Sequence, residues 1–253
     1  MTCSLITTPE GIQVYHRGAP PERGALPALF YLALSGEESL CLDPFNQPVQ
    51  SLVDEQLRIY SVTLPAHGEG LSPNEAMQRW AEKVEQGQSP VGPVVDEIPR
   101  AVTYLIEAGL IDPAHIAIAG LSRGAFAAAH VASVDPRFRT LLGFAPLTRL
   151  TGAGSFKEVW HLPQAAALNI DRLALYDRTI RFNIGNRDTL VGTDQCFQAV
   201  EALVEAAHNQ RIRSAPIEMI ISASIGYQGH GTSPEVFRAG ASWVQQRLLG
   251  GNP

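Results

Sequence analysis

Ser122 lies in Gly120-Leu121-Ser122-Arg123-Gly124, a G-x-S-x-G pattern that follows the apolar run His115–Ala119 and opens the alanine-rich stretch Ala125-Phe126-Ala127-Ala128-Ala129. That strand–turn–helix setting is what a nucleophile elbow requires. The flanking glycines have a mechanical reason, because side chains there would collide with the neighbouring strand and helix. The turn raises the hydroxyl from the sheet at a helix N-terminus, where negative charge is favoured. A serine is a poor nucleophile at neutral pH and needs a base within hydrogen-bond reach, itself held by a carboxylate. In sheets with such an elbow the acid and then the histidine follow the serine along the chain. Two histidines qualify. His208 ends a helical stretch and reads as a solvated residue favourable to the helix C-terminus. His230, in Gly226-Tyr227-Gln228-Gly229-His230-Gly231, occupies a flexible loop after the last strand that can swing over the sheet edge, and is the expected base.

For the acid, Asp188 follows the run Thr179–Ile184 through Gly185-Asn186-Arg187, which puts it on the ligand-binding side of an open α/β sheet. Asp194 competes, and reads better as a first-turn residue stabilised by the helix dipole. An attacked carbonyl also needs two backbone N–H donors for its developing oxyanion. One is expected from Arg123, the residue after the nucleophile, and the other from Glu37 in Ser35-Gly36-Glu37-Glu38, the segment after the run Ala28–Leu34. A plain surface turn is the other reading of that segment.

These residues need elements to hold them. Apolar or β-branched runs at Ile12–Tyr15, Ala28–Leu34, Arg58–Leu64, His115–Ala119, Thr140–Phe144, Thr179–Ile184 and Ile217–Ser222 read as strands. From the third onward they lack polar alternation, as strands covered on both faces do. Helical spacing occurs over Pro48–Leu57, Asn74–Gln86, Val94–Ala108, Arg123–Val134, Thr193–His208 and Pro234–Leu249. Pro99 predicts that the third helix starts or kinks there, while Ser72-Pro73 and Ser233-Pro234 carry helix-start chemistry. Strand alternating with helix predicts an α/β fold, a mostly parallel twisted sheet of about eight strands flanked by helices. No linker divides residues 1–253, so one domain is expected, with the least periodic region, 148–178, as a small lid-like insertion.

Composition narrows the classes. The 253 residues carry 19 Lys+Arg against 25 Asp+Glu, a net charge of −6, with no basic run, which argues against nucleic-acid or anionic-membrane partners. Hydrophobic residues at 45% suffice for a packed core, and no apolar stretch reaches the length of a membrane span. The first residues lack the basic start and apolar stretch of a signal peptide, and the three cysteines, Cys3, Cys41 and Cys196, show no C-x-x-C. Reduced thiols and a cytoplasmic location are therefore expected. The histidines show no H-x-H or H-E-x-x-H spacing, so no metal is expected.

Taken in order, Gly120-Leu121-Ser122-Arg123-Gly124, Gly185-Asn186-Arg187-Asp188 with Val191, and Gly229-His230-Gly231 resemble the α/β-hydrolase superfamily, and Leu64-Pro65-Ala66-His67-Gly68 looks like the Leu-Pro-x-His-Gly turn of many members. The likeness runs from residue 28 to residue 249 and is nearest to compact dienelactone-hydrolase-like and prolyl-oligopeptidase-like members. Ser35 stands where a histidine commonly precedes the oxyanion-hole glycine, and the His-Gly-Gly-Gly form is absent. The resemblance implies a serine hydrolase working through an acyl-enzyme, without cofactor, on a small ester or thioester. A binding or signalling protein with little turnover, or an acyltransferase or peptidase with the same three residues, is the alternative. Substrate choice is expected from Phe156, Trp160 and His161 in the insertion and from Arg123; the competing readings are that Phe156 and Trp160 simply pack that segment onto the sheet, and that Arg123 is a solvated first-turn residue in place of a contact for an anionic substrate group. A small molecule is the expected partner, and monomer and homodimer are both compatible with the sequence.

Overall fold

The computed structural model describes residues 3–53, 56–68, 70–150 and 154–250. Eight strands form one sheet: β1 (Ser4–Thr7), β2 (Gln13–Gly18), β3 (Leu26–Leu32), β4 (Arg58–Ser61), β5 (Ile111–Leu121), β6 (Thr140–Phe144), β7 (Thr179–Gly185) and β8 (Ile217–Ser222). Their order is β1-β2-β4-β3-β5-β6-β7-β8, and only the β1–β2 and β2–β4 pairs are antiparallel. The helices are α1 (Gly36–Cys41), α2 (Gln47–Leu52), α3 (Ala76–Glu85), α4 (Gly92–Glu107), α5 (Arg123–Val134), α6 (Pro163–Ala167), α7 (Thr193–Asn209) and α8 (Pro234–Leu249).

Successive strand residues point to opposite faces, and the core divides accordingly. Phe30, Ile118, Leu141, Ile180 and Phe182 pack under α3, α4, α5 and α7. Leu29, Tyr31, Ala117, Ala119, Leu142 and Phe144 pack under α1, α2 and α8. Helices on both faces are why β3 reads as an unbroken apolar run and why all four residues of β4 are buried. β4 also carries Arg58, 1% exposed, whose guanidinium donates to the carbonyls of Ala19, Pro20, Gly24 and Leu110. A buried cation is tolerated there because its donors are shared among backbone acceptors of the β2–β3 connection and the approach to β5.

Several elements differ from the sequence expectation. β1 escapes notice because three of its four residues are exposed and it carries little pattern. β8 is an edge strand with Ile221 56% exposed, so it is not covered on both faces. β4 stops at Ser61 and α2 at Leu52, short of the expected ends, and residues 54 and 55 of the expected second helix lie outside the described residues. α4 starts at Gly92 and runs through Pro99. The described part of 148–178 folds into short turns and α6, with Leu150, Phe156, Val159, Ala165 and Ile170 buried. It is tied down by Gln164 Nε2 donating to the Val84 carbonyl and by His130 Nε2 bonding the Leu168 carbonyl at 2.8 Å. Residues 151–153 lie outside the described residues.

Candidate active site

β5 ends at Leu121 and α5 starts at Arg123, so the reversal is concentrated in Ser122, whose φ of 54° and ψ of −117° are unusual for a residue with a side chain. Such a conformation costs about 1–3 kcal/mol and persists only where the surroundings impose it. Here they do. Ser122 N–H donates to the Phe144 carbonyl at 2.8 Å, and the Ser122 carbonyl accepts from Ala125 at 3.0 Å and Leu147 at 3.2 Å. A Cβ on Gly120 would meet the Gly124–Ala125 backbone, and one on Gly124 would meet the Leu32 carbonyl. Both glycines of the motif are thus required by close backbone approach.

The structure brings Ser122, His230 and Asp188 together across three strand ends. Ser122 Oγ lies 2.9 Å from His230 Nε2, and His230 Nδ1 lies 2.7 Å from Asp188 Oδ2. Oδ1 of Asp188 accepts from the Leu190 and Val191 amides at 3.0 and 3.1 Å. Burial pushes the Asp188 carboxyl upward, but the His230 ring N–H and the two amides outweigh it and hold the group below the usual carboxylate range. An ionised carboxylate only accepts, so Nδ1 carries the imidazole proton and Nε2 presents its lone pair to the serine hydroxyl. That is the arrangement of a general base beside a nucleophile. Asp194 lies exposed in the first turn of α7, and His208 lies in its last turn.

The His230 loop is more firmly held than its glycines suggest. The Gln228 carbonyl accepts from Thr189 N–H at 2.9 Å and Thr189 Oγ1 at 3.1 Å. Arg187 N–H donates to Ser224 Oγ at 2.6 Å, and Ser224 N–H to Asn186 Oδ1 at 3.1 Å. Gly229, with φ of 76°, passes against the Arg187 carbonyl where a Cβ has no room. In place of a swinging loop, the acid and histidine loops are bonded to each other.

Arg123 N–H, in the first turn of α5, has no intrahelical partner and sits beside Ser122. Glu37 is not brought to the serine. It is exposed in the first turn of α1, where Ser35 and Glu38 form a capping box. Ala33 and Leu34, a few residues earlier, reach the site instead, and both amides donate to buried Ser39 Oγ at 3.0 Å. The expectation for Phe156, Trp160 and His161 also fails. Phe156 is wholly buried in the core. Trp160 is 54% exposed, with its ring edge-on to that of exposed His161. Phe156 is taken into the core, and neither Trp160 nor His161 is among the residues that line the cavity at Ser122.

A cavity of about 260 Å³ opens onto Ser122, lined by Leu34, Pro44, Phe45, Leu121, His230 and Phe237, with Ala33, Arg123, Gly231 and Thr232 at its margins. Sequence reasoning missed Pro44, Phe45 and Phe237. The signal for the first two was an apolar pair just past the Ser35–Glu38 capping box. Among the described residues no three His, Cys, Asp or Glu side chains cluster as metal ligands, and no helix is long and apolar enough to cross a membrane.

No family model matches the chain, and no curated protein matches it in sequence. Its likeness is to solved structures. The Thermus thermophilus protein TT1662 superposes with a TM-score of 0.71 at 19% identity, over 98% of this chain and 99% of its own. A puromycin-hydrolyzing peptidase of Mycobacterium tuberculosis gives a TM-score of 0.69 at 16% identity, over 99% of this chain but 39% of its own. The Pyrococcus furiosus esterase Pf2001 gives 0.63 at 16% identity, over 98% of this chain and 92% of its own. Together with the sheet order and the elbow, these likenesses show that the chain has the α/β-hydrolase fold.

Proposed function

We propose that the chain is a serine hydrolase that cleaves small carboxylic esters or thioesters through an acyl-enzyme. The observation that carries this reading is the unbroken line of hydrogen bonds from Ser122 Oγ through His230 to Asp188 beside an open apolar cavity. In the first half-reaction His230 Nε2 takes the Ser122 proton as Oγ bonds the substrate carbonyl carbon, and the carbonyl oxygen gains the negative charge. Arg123 N–H and the positive end of α5 stabilise that oxyanion. The imidazolium then protonates the leaving alcohol or thiol, and the carbonyl re-forms as the acyl-enzyme. Water, deprotonated by His230, attacks the acyl-enzyme, and the acid leaves as Ser122 regains its proton.

The preference for an ester over a peptide rests on the cavity. Among the described residues its lining has no carboxylate to receive the ammonium of a peptide N-terminus, and its volume of about 260 Å³ suits a small apolar group. The likeness to the puromycin-hydrolyzing peptidase, over 39% of that chain, keeps amide cleavage as the second reading. A small molecule taken up from the cytoplasm, by one domain, completes the proposal. A fluorophosphonate probe should label the protein at Ser122 and leave Ser122→Ala unlabelled; equal labelling of the two rejects the hydrolase reading. A series of p-nitrophenyl esters from acetate to palmitate should then show rates that fall with chain length.

A further inference from the structure

The reaction uses the backbone of Arg123 and leaves its side chain unexplained. That side chain reaches away from the elbow, and Nη1 donates to the Pro73 carbonyl at 2.8 Å. A guanidinium has five N–H donors and stays charged under all ordinary conditions. Burial works against the charge here, and among the described residues no carboxylate forms an ion pair with Arg123. Buried charges are ordinarily paired, so a half-buried cation at the margin of the reactive cavity is an open half of an ion pair.

His67, outside the cavity lining but within electrostatic range of Arg123, adds a second open position. It is 5% exposed, Nδ1–H donates to the Pro65 carbonyl at 3.0 Å, and Nε2 is buried without a partner. Burial does most to lower the His67 pKa; the Pro65 hydrogen bond opposes it, the charge of Arg123 lowers it further, and Glu38 acts in the opposite sense. Glu38 is itself engaged, accepting from Ser35 N–H at 3.2 Å and Ser35 Oγ at 2.7 Å. An anion lying between Arg123 and His67 would cancel the repulsion, let Nε2 take a proton and turn it from an orphan acceptor into a donor.

Strand order says which part of a substrate would sit there. His230 and Asp188 come from the loops after β8 and β7, on one side of β5. Pro65, His67 and Pro73 come from the segment after β4, and Glu38 from the helix after β3, on the other side. The leaving group must lie within reach of the imidazolium that protonates it, so the acyl portion lies toward Arg123. We infer that Arg123, seconded by His67, binds a carboxylate at the far end of the acyl group, which makes half-esters of short dicarboxylic acids the preferred substrates. This inference rests on the hydrolase reading.

The test compares mono-p-nitrophenyl glutarate with p-nitrophenyl pentanoate, which share the leaving group and acyl length and differ in the terminal carboxylate. Wild type should favour the glutarate in kcat/KM by about tenfold or more, the scale of a charge-assisted contact. Arg123→Met should abolish that preference and Arg123→Lys should restore part of it. Free glutarate should inhibit wild-type pentanoate hydrolysis competitively, an arm that needs no variant. Preference for pentanoate, absence of glutarate inhibition, or an unchanged ratio in Arg123→Met overturns the anion site while leaving the hydrolase intact. If neither ester is cleaved, the hydrolase reading fails, and calorimetry with glutarate decides the site by itself. Binding with proton uptake that is lost in Arg123→Met supports it, and absence of binding by wild type rejects it.

Discussion

Replacing Asp188 by Asn changes one atom and inverts the chemistry of the imidazole. The Asp188 side chain is wholly buried, with Oδ1 accepting the Leu190 and Val191 amides and Oδ2 facing His230 Nδ1. Two amide donors hold the Asn carbonyl in the Oδ1 position, so its NH₂ must face Nδ1. The ring then accepts at Nδ1 and carries its proton on Nε2, which donates to Ser122 Oγ and leaves no base for the serine. Loss of the correct tautomer costs on the order of 10⁴ in turnover, about 5 kcal/mol of transition-state stabilisation. Volume and packing are unchanged, so KM should hold and the thermal midpoint should move little. Steady-state hydrolysis of p-nitrophenyl acetate reads both constants, with exposed Asp194→Asn as the control, expected within about twofold of wild type because it touches nothing in the site. Asp188→Asn activity within tenfold of wild type, or an equal loss in Asp194→Asn, would refute the assignment.

Three further outcomes follow from the packing. Gly124→Ala drives a methyl into the Leu32 carbonyl and should destabilise by about 3 kcal/mol or more, read as a lower urea midpoint; an unchanged midpoint contradicts the close approach. Arg58→Met strands five backbone carbonyls in a site 1% exposed and should cost at least about 3 kcal/mol in the same assay, whereas loss of under 1 kcal/mol would mean water replaces the guanidinium. His130 is buried and its pKa is lowered to about 4. Between the ordinary histidine value near 6.5 and about 4 the unfolded chain therefore binds a proton that the folded chain refuses, so stability is complete above that window and falls by about 3 kcal/mol across it as the pH drops. His130→Phe should flatten that slope whatever its effect on stability at neutral pH.

Much of the fold was legible because parallel strands buried on both faces announce themselves as apolar runs, as β3 does. β1 was not, because an edge strand with exposed side chains has no periodicity to detect. The positions of Ser122, Asp188 and His230 were readable for a related reason: each follows a strand end, and the glycines flanking Ser122 and His230 are ones that backbone contact requires. The cavity was not readable. Pro44, Phe45 and Phe237 reach it from a turn and a helix far apart in the chain, and only the tertiary fold brings them to Leu34 and Leu121. Glu37 was misplaced because the Ser35–Glu38 capping box starts a helix where a loop had been expected, which leaves Ala33 and Leu34 as the residues beside the serine. Phe156 and Trp160 were assigned by residue type, and type does not say which side of a segment faces the core.

The two bonds that Thr189 gives to the Gln228 carbonyl, with the Asn186–Ser224 and Arg187–Ser224 bonds, make one tethered unit of the acid and base loops. Asp188 and His230 therefore travel together, and the adjustable contact in the site is the 2.9 Å junction between His230 Nε2 and Ser122 Oγ. Mild denaturant would disengage the serine from an imidazole–carboxylate pair that is itself still whole. Inactivation would then precede any loss of the Asp188–His230 hydrogen bond, and a cross-link between the β5–α5 elbow and the 226–231 loop would protect activity where one within the tethered loops would not.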